Sequence, residues 1–194
     1  VYMGPYPSGA PAIFIDAVAN LRASTSFIGV IGCDDFGKLP LRHLGRDGVD
    51  IKRIRVAKGY TTGTAFVMYH SSGARRFVFY LRHSAGQLSP DDVEADLISK
   101  RKILHVMGSS LAVSKSSGKA CYKAAEIARD SNGIITFDPN LRPELLGIET
   151  IRKICKPLIK ASRAILPSRE EATTLTGSRD RAAAAGKLIG QGPE

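Results

Sequence analysis

The sequence has only three cysteines, Cys33, Cys121 and Cys155, too far apart for a metal knuckle. An odd thiol count does not build a disulfide framework and fits a reducing, intracellular setting. No apolar run is long enough to cross a bilayer, because Asp, Lys and Arg interrupt every candidate. Val1 to Pro7 lack the basic start and apolar centre of a secretory leader. Repeats and low-complexity tracts are absent. His43, His70, His83 and His105 show no metal-ligating or catalytic spacing and read as ordinary surface or core residues. These absences predict a cytoplasmic protein with no membrane partner. Acidic residues are also scarce, 18 against 28 basic ones, for a net charge of +10. The bases are spread along helix faces, with one short cluster at Lys100-Arg101-Lys102, and no aromatic, glycine-spaced RNA-binding signature accompanies them. The reading is therefore no nucleic acid and a small anionic ligand instead, although a fragment separated from an acidic partner segment would carry the same charge.

What is present is an ordinary globular composition, 43% hydrophobic and 24% charged over 194 residues. From about residue 100, strands and helices alternate. Ile103 to Met107 predicts a strand, Ser116 to Asp130 a helix stopped by Asn132-Gly133, and Ile134 to Asp138 a second strand. Ile148 to Ala161 repeats apolar residues at helical spacing, with Pro157 predicting a kink or early end. Arg163 to Leu166 predicts a third strand. That order means parallel strands joined by crossovers, hence an α/β sheet covered on both faces. Earlier in the chain, Ala12 to Leu21 predicts a helix and Ser26 to Ile31 a strand. Gly32 to Gly37 predicts a turn into a helix running through Leu44. The runs Thr64 to His70 and Arg76 to Leu81, separated by Ser71 to Ala74, predict a β-hairpin. The domain reading is one α/β domain over 1–194 with a lid hairpin inserted at 62–84.

The most informative segment is 134–146. A buried strand stops at Asp138-Pro139-Asn140, because Pro139 has no N–H with which to continue a central strand. Asp138 and Asn140 can hold the turn through side-chain to backbone bonds. Arg142 follows within reach of the strand end, where open α/β sheets bind ligands. Its planar fork suits a carboxylate or a phosphate. A strand-to-helix turn with a solvated arginine is the plainer alternative. Ser168-Arg169-Glu170-Glu171 likewise reads as a capping box opening a helix that ends near Gly177.

Four patterns stand in order: Ser8-Gly9-Ala10-Pro11, Ile31 to Gly37, Asp138 to Pro143, and Leu166 to Glu171 through Gly177. This order and spacing resemble the ribokinase (PfkB) family of sugar kinases, in particular its 2-keto-3-deoxygluconate kinase and fructokinase-like branch. The segment His83 to Val93 is similar to that branch as well. The resemblance implies a ribokinase-like parallel sheet flanked by helices, with a small β lid that often builds a homodimer. It implies ATP-dependent phosphorylation of a sugar or sugar-acid hydroxyl, with Mg2+ and a monovalent cation such as K+. Gly9, Ala10, Tyr80, Arg82 and Arg142 would then contact substrate. Arg142, Ser168 and Glu171 would serve the phosphate and ATP–Mg region without a direct metal ligand, and Asp138 and Asn140 would hold the Arg142 loop.

The chain departs from the family pattern in places. Ser8 stands for a glycine and Ile13 for an asparagine, and Ile13 cannot make the asparagine's hydrogen bonds. Arg82 falls one place later than the lid arginine of the keto-acid kinases, so strand alternation turns it to the other face. The family's Gly-Ala-Gly-Asp motif, with its catalytic base and anion hole, is not in the sequence. The expectation is that the base lies beyond Glu194, that the opening strand is missing too, and that this chain alone is inactive. The alternative is a non-catalytic sugar- or anion-binding protein with a kinase-like fold.

Overall fold

The computed structural model describes residues 3–81, 83–85 and 87–194. The chain divides into two units, 1–88 and 89–194.

The first unit opens with helix α1 (Ala10–Asn20), followed by strand β1 (Ser26–Gly32), helix α2 (Asp35–Arg46) and strand β2 (Asp50–Ala57). β1 and β2 pair in parallel, with a register shift between Ser26 and Ile28. Ala19, Leu44 and Val49 form a buried cluster with Ala12, Ile15, Phe27, Ile51 and Ile54 packed on it. This cluster fixes α1 and α2 against the strand pair. Strands β3 (Thr64–Tyr69) and β4 (Arg75–Tyr80) then form the antiparallel hairpin expected from the sequence. β2 was not foreseen. Its Lys52-Arg53 pair breaks the apolar alternation, and neither face of the strand reads as continuous in sequence.

The second unit begins with a single 3-10 turn at Pro90–Asp92. It continues through α3 (Ala95–Ser99), β5 (Ile103–Met107), α4 (Gly108–Val113), α5 (Lys115–Asp130) and β6 (Ile134–Asp138). After these come α6 (Ile148–Ala161), β7 (Ala164–Ile165), α7 (Arg169–Thr176) and α8 (Arg181–Ile189). The strands form a parallel sheet in the order β5-β6-β7. Phe137, next to the last residue of β6, is fully buried, and α5 and α6 turn Ala120, Ala124, Ala128, Ile151, Cys155, Leu158 and Ile159 inward. Tyr122 of α5 donates its hydroxyl to the Ile154 carbonyl of α6 at 2.7 Å, joining the two helices.

α6 has the bounds its apolar spacing predicts, Ile148–Ala161, and of the two outcomes read for Pro157 the early end does not occur, with Leu158 and Ile159 buried beyond the proline. Burial of that apolar face outweighs the one backbone hydrogen bond that proline removes. The third strand is shorter than 163–166, since only Ala164 and Ile165 pair with β6. α8, also unforeseen, opens where the Asp180 side chain accepts the Ala183 N–H at 2.7 Å.

Candidate active site in the second unit

β5 and β6 end in register, with Met107 opposite Asp138. Beyond them the chain must turn in little space. α4 starts at once with Gly108, and the Pro139 carbonyl stands where a Cβ on Gly108 would lie. Only glycine fits there. Pro139 is fully buried, so the turn after β6 is clamped from below.

The turn is also held from within. Asp138 Oδ1 accepts the Asn140 N–H at 2.9 Å, and Asn140 takes a positive φ of 38°, a conformation asparagine tolerates better than most residues. Asn140 Oδ1 is buried without a hydrogen-bond partner among the described residues. Burial, with the Glu171 charge adding to it, pushes the Asp138 carboxyl above its ordinary range. The Asn140 N–H and Arg142 pull it the other way. Arg142 donates from Nη1 to the Leu141 carbonyl at 2.8 Å. No other hydrogen bond of this guanidinium is seen among the described residues, which leaves donors for an anion at the carboxyl end of the sheet.

α7 completes the arrangement. The Ser168 hydroxyl accepts the Glu171 N–H at 3.3 Å, and Glu171 Oε2 accepts the Ser168 N–H at 2.8 Å, which is the capping box read from the sequence. The other oxygen, Oε1, accepts the Leu141 N–H at 2.7 Å. Glu171 therefore joins the start of α7 to the Arg142 loop, a contact the sequence does not disclose. The structure thus gathers Asp138, Asn140, Arg142, Ser168 and Glu171 around one strand end. Both Glu171 oxygens are already engaged by N–H groups, so the carboxylate suits orientation of a metal's hydration shell better than direct ligation.

The remaining expected residues lie in the first unit. Gly9 precedes α1 with φ 102°, a conformation that favours glycine, and Ala10 begins the helix. Tyr80 ends β4, 62% exposed, with its ring edge-on to Phe66 at 5.7 Å. Arg82 lies outside the described residues. The Gly32 to Gly37 motif proves to be a latch. Asp34 accepts the Gly37 N–H at 2.8 Å, the Thr62 hydroxyl at 2.7 Å and the Thr62 N–H at 2.7 Å. The Thr62 hydroxyl in turn accepts the Gly32 N–H at 2.9 Å. A Cβ on Gly32 would meet Thr62 N at 2.5 Å, and one on Gly37 would meet the Gly32 carbonyl at 2.5 Å. Asp34 and Thr62 stand 28 positions apart, so this contact comes from folding and not from a local pattern.

Several other reactive groups are retired by their surroundings. Burial pushes the Cys121 and Cys155 thiols up to about 12, so neither is a nucleophile near neutral pH. Burial lowers the His105 pKa and favours a neutral ring, and that ring meets the Thr136 hydroxyl at 2.8 Å across β5 and β6. No helix among the described residues is long and apolar enough to cross a membrane.

Residues 3–194 match the sequence model of the pfkB family carbohydrate kinases, and the chain belongs to that family. A fructokinase of Solanum tuberosum is 36% identical over 173 residues, spanning 89% of this chain and 51% of its own. A 2-dehydro-3-deoxygluconokinase of Thermoproteus tenax is 36% identical over 147 residues, 74% of this chain and 44% of its own. Among solved structures, an E. coli protein in complex with ATP and Mg2+ superposes with TM-score 0.91 at 35% identity, over 100% of this chain and 62% of that one. Fructokinase with bound ATP from Xylella fastidiosa gives TM-score 0.85 at 26% identity, over 96% and 60%. The chain thus spans about half the length of the curated relatives it matches.

Proposed function

We propose that this chain is part of an ATP-dependent kinase that phosphorylates a hydroxyl of a sugar or sugar acid in the cytoplasm. The observation that carries the reading is the double engagement of Glu171, which braces the Arg142 loop at the carboxyl end of β6. Phosphoryl transfer depends on positioning and on stabilising the charge of the moving group. Arg142, on a loop fixed by Pro139, Asp138 and Glu171, offers a preset donor fork for that charge. Ser168 and Glu171 would orient water around Mg2+ at the ATP phosphates, and a monovalent cation such as K+ would act alongside. ATP supplies the phosphoryl group when bound. Gly9, Ala10, Tyr80 and Arg82 are the residues proposed for sugar contact.

The hairpin supports a lid that pairs with a second copy, since Phe66, Val67, Met68, Tyr69, Val78 and Tyr80 are all solvent-exposed. Apolar exposure on this scale marks an interaction surface. The fructokinase and 2-dehydro-3-deoxygluconokinase relatives favour a ketose or a keto-sugar acid as acceptor. One observation favours the second reading, a sugar or anion binder without catalysis. Ile13 is 58% exposed where the family pattern carries a hydrogen-bonding asparagine.

The test is an ADP-release screen over ketoses, aldoses and keto-sugar acids, on the protein in the longest form its gene encodes. Release with one acceptor class supports the kinase. Binding of a sugar by calorimetry without ADP release supports the binder.

A further inference from the structure

Between α1 and α2 lies a cluster that spacing in the sequence does not reveal and that the proposed kinase chemistry does not use. Asp16 stands on α1, His43 on the last turn of α2, and Asp47 at that helix's C-terminal cap. His43 and Asp47 are four residues apart, so the helix presents both on one face. His43 Nε2 lies 3.3 Å from Asp16 Oδ2 and 3.7 Å from Asp47 Oδ2. One donor atom from each residue falls within 4.8 Å of the other two.

Two further observations point to a ligand there. Asp16 Oδ1 is buried and has no hydrogen-bond partner among the described residues. A buried carboxylate oxygen without a donor is costly. A cation would supply the missing charge. Beside the cluster is a cavity of about 50 Å³ lined by Ser8, Ile13, Asp16, Pro40 and His43, with room for a coordinating water.

We infer that Asp16, His43 and Asp47 form a binding site for a divalent transition-metal ion of the zinc or cobalt type. One imidazole nitrogen with carboxylate oxygens suits such ions. Tetrahedral ligands at about 2.0–2.1 Å from a metal lie roughly 3.3 Å from one another. The separations from His43 to both aspartates therefore need little adjustment.

Arg46 now sits at the rim. It donates from Nε to Asp47 Oδ1 at 2.8 Å and from Nη2 to Oδ2 at 3.3 Å, and Nη2 meets His43 Nδ1 at 3.1 Å. With Arg46 donating to Nδ1, the neutral ring keeps its proton on Nε2, facing Asp16. Metal binding at Nε2 moves that proton to Nδ1 or to solvent. The Arg46 side chain, 72% exposed, is then released into water. No electron transfer is involved.

The test uses the longest form of the protein, with Cys33→Ser so that the exposed thiol cannot hold the ion. The protein is stripped with a chelator and titrated with Co2+ and Zn2+, followed by calorimetry and by Co2+ visible absorption. One equivalent should bind, with ligand-field bands, and Tm should rise with added ion. His43→Ala, Asp47→Asn and Asp16→Asn should each weaken binding by more than about tenfold, with circular dichroism confirming their fold. Absence of a one-equivalent site at millimolar ion would overturn the assignment and leave an Asp–His–Asp ion-pair network. Binding that survives all three substitutions would overturn it as well, since the ion would then sit elsewhere. None of these readouts depends on kinase activity.

Discussion

Glu171 holds the Leu141 N–H with one carboxylate oxygen at 2.7 Å and the Ser168 N–H with the other at 2.8 Å. A residue thirty positions away in sequence thus governs where the Arg142 loop sits. Glu171→Ala removes both acceptors and should cost about 1–3 kcal/mol, from the lost cap and an unpaired amide. Denaturant melts measure that loss. Ser168→Ala, which leaves the carboxylate in place, should cost less and keep the loop contact.

Arg142→Ala should lower kcat by about 10²–10³-fold if the fork stabilises charge on the moving phosphoryl group. Arg142→Lys keeps the charge without the planar fork and should recover part of the rate. Steady-state ADP release on the longest form gives the answer. An unchanged kcat in Arg142→Ala would remove this residue from the chemistry.

Asp138 has its pKa raised, first by burial and then by the Glu171 charge. A carboxyl with a raised folded-state pKa favours the fold most below its ordinary value of about 3.9, and that contribution is lost as pH rises through the raised value. Asp138→Asn keeps an oxygen acceptor for Asn140 and does not titrate. The stability of the parent relative to Asp138→Asn should therefore fall as pH rises through that window. Urea melts across the acid range test it, and a rising difference would mean that Arg142 controls the group instead.

Asp34 behaves in the opposite sense. The Thr62 hydroxyl, followed by the Thr62 and Gly37 amides, lowers its pKa against a smaller burial effect. Its contribution is present above the ordinary aspartate value and disappears as pH falls through the lowered one. Thr62→Val should cost about 1–2 kcal/mol at neutral pH, the partner being charged but solvent-accessible. The same substitution should flatten the acid limb of the stability profile.

Gly108→Ala would drive a methyl group into the Pro139 carbonyl. Overpacking against backbone should cost about 1–3 kcal/mol and displace the turn that carries Asn140 and Arg142. The prediction is a lower Tm together with a raised KM for the phosphate donor. A destabilised protein with unaltered kinetics would uncouple the turn from the site.

Local signals in the sequence carried much of this. β6, its Pro139 stop and the Ser168 capping box are each written in adjacent residues, and the structure has them where the residue types demand. β2 was hidden because its charged pair interrupts the alternation. α6 keeps its expected span through Pro157 because Leu158 and Ile159, which belong to its apolar spacing, are held in the core. The Glu171–Leu141 and Asp34–Thr62 contacts join residues about thirty positions apart, as does the approach of Asp16 to His43 and Asp47, and only folding brings such partners together. Fold class follows from periodicity, whereas a site follows from side chains that meet across the chain.

The base of the β3–β4 hairpin closes on itself. Thr61 bridges to Ser84 in parallel fashion, and Ala85 donates its N–H to the Thr61 carbonyl at 2.7 Å. Departure and return therefore lie side by side on a footing that Asp34 anchors through Thr62. Such an arrangement makes the hairpin an interchangeable module. Its length, apolar surface and tip can be rewritten by insertion or deletion while the strand pair beneath keeps its register, so a lineage can alter what the hairpin presents without rebuilding the layer below.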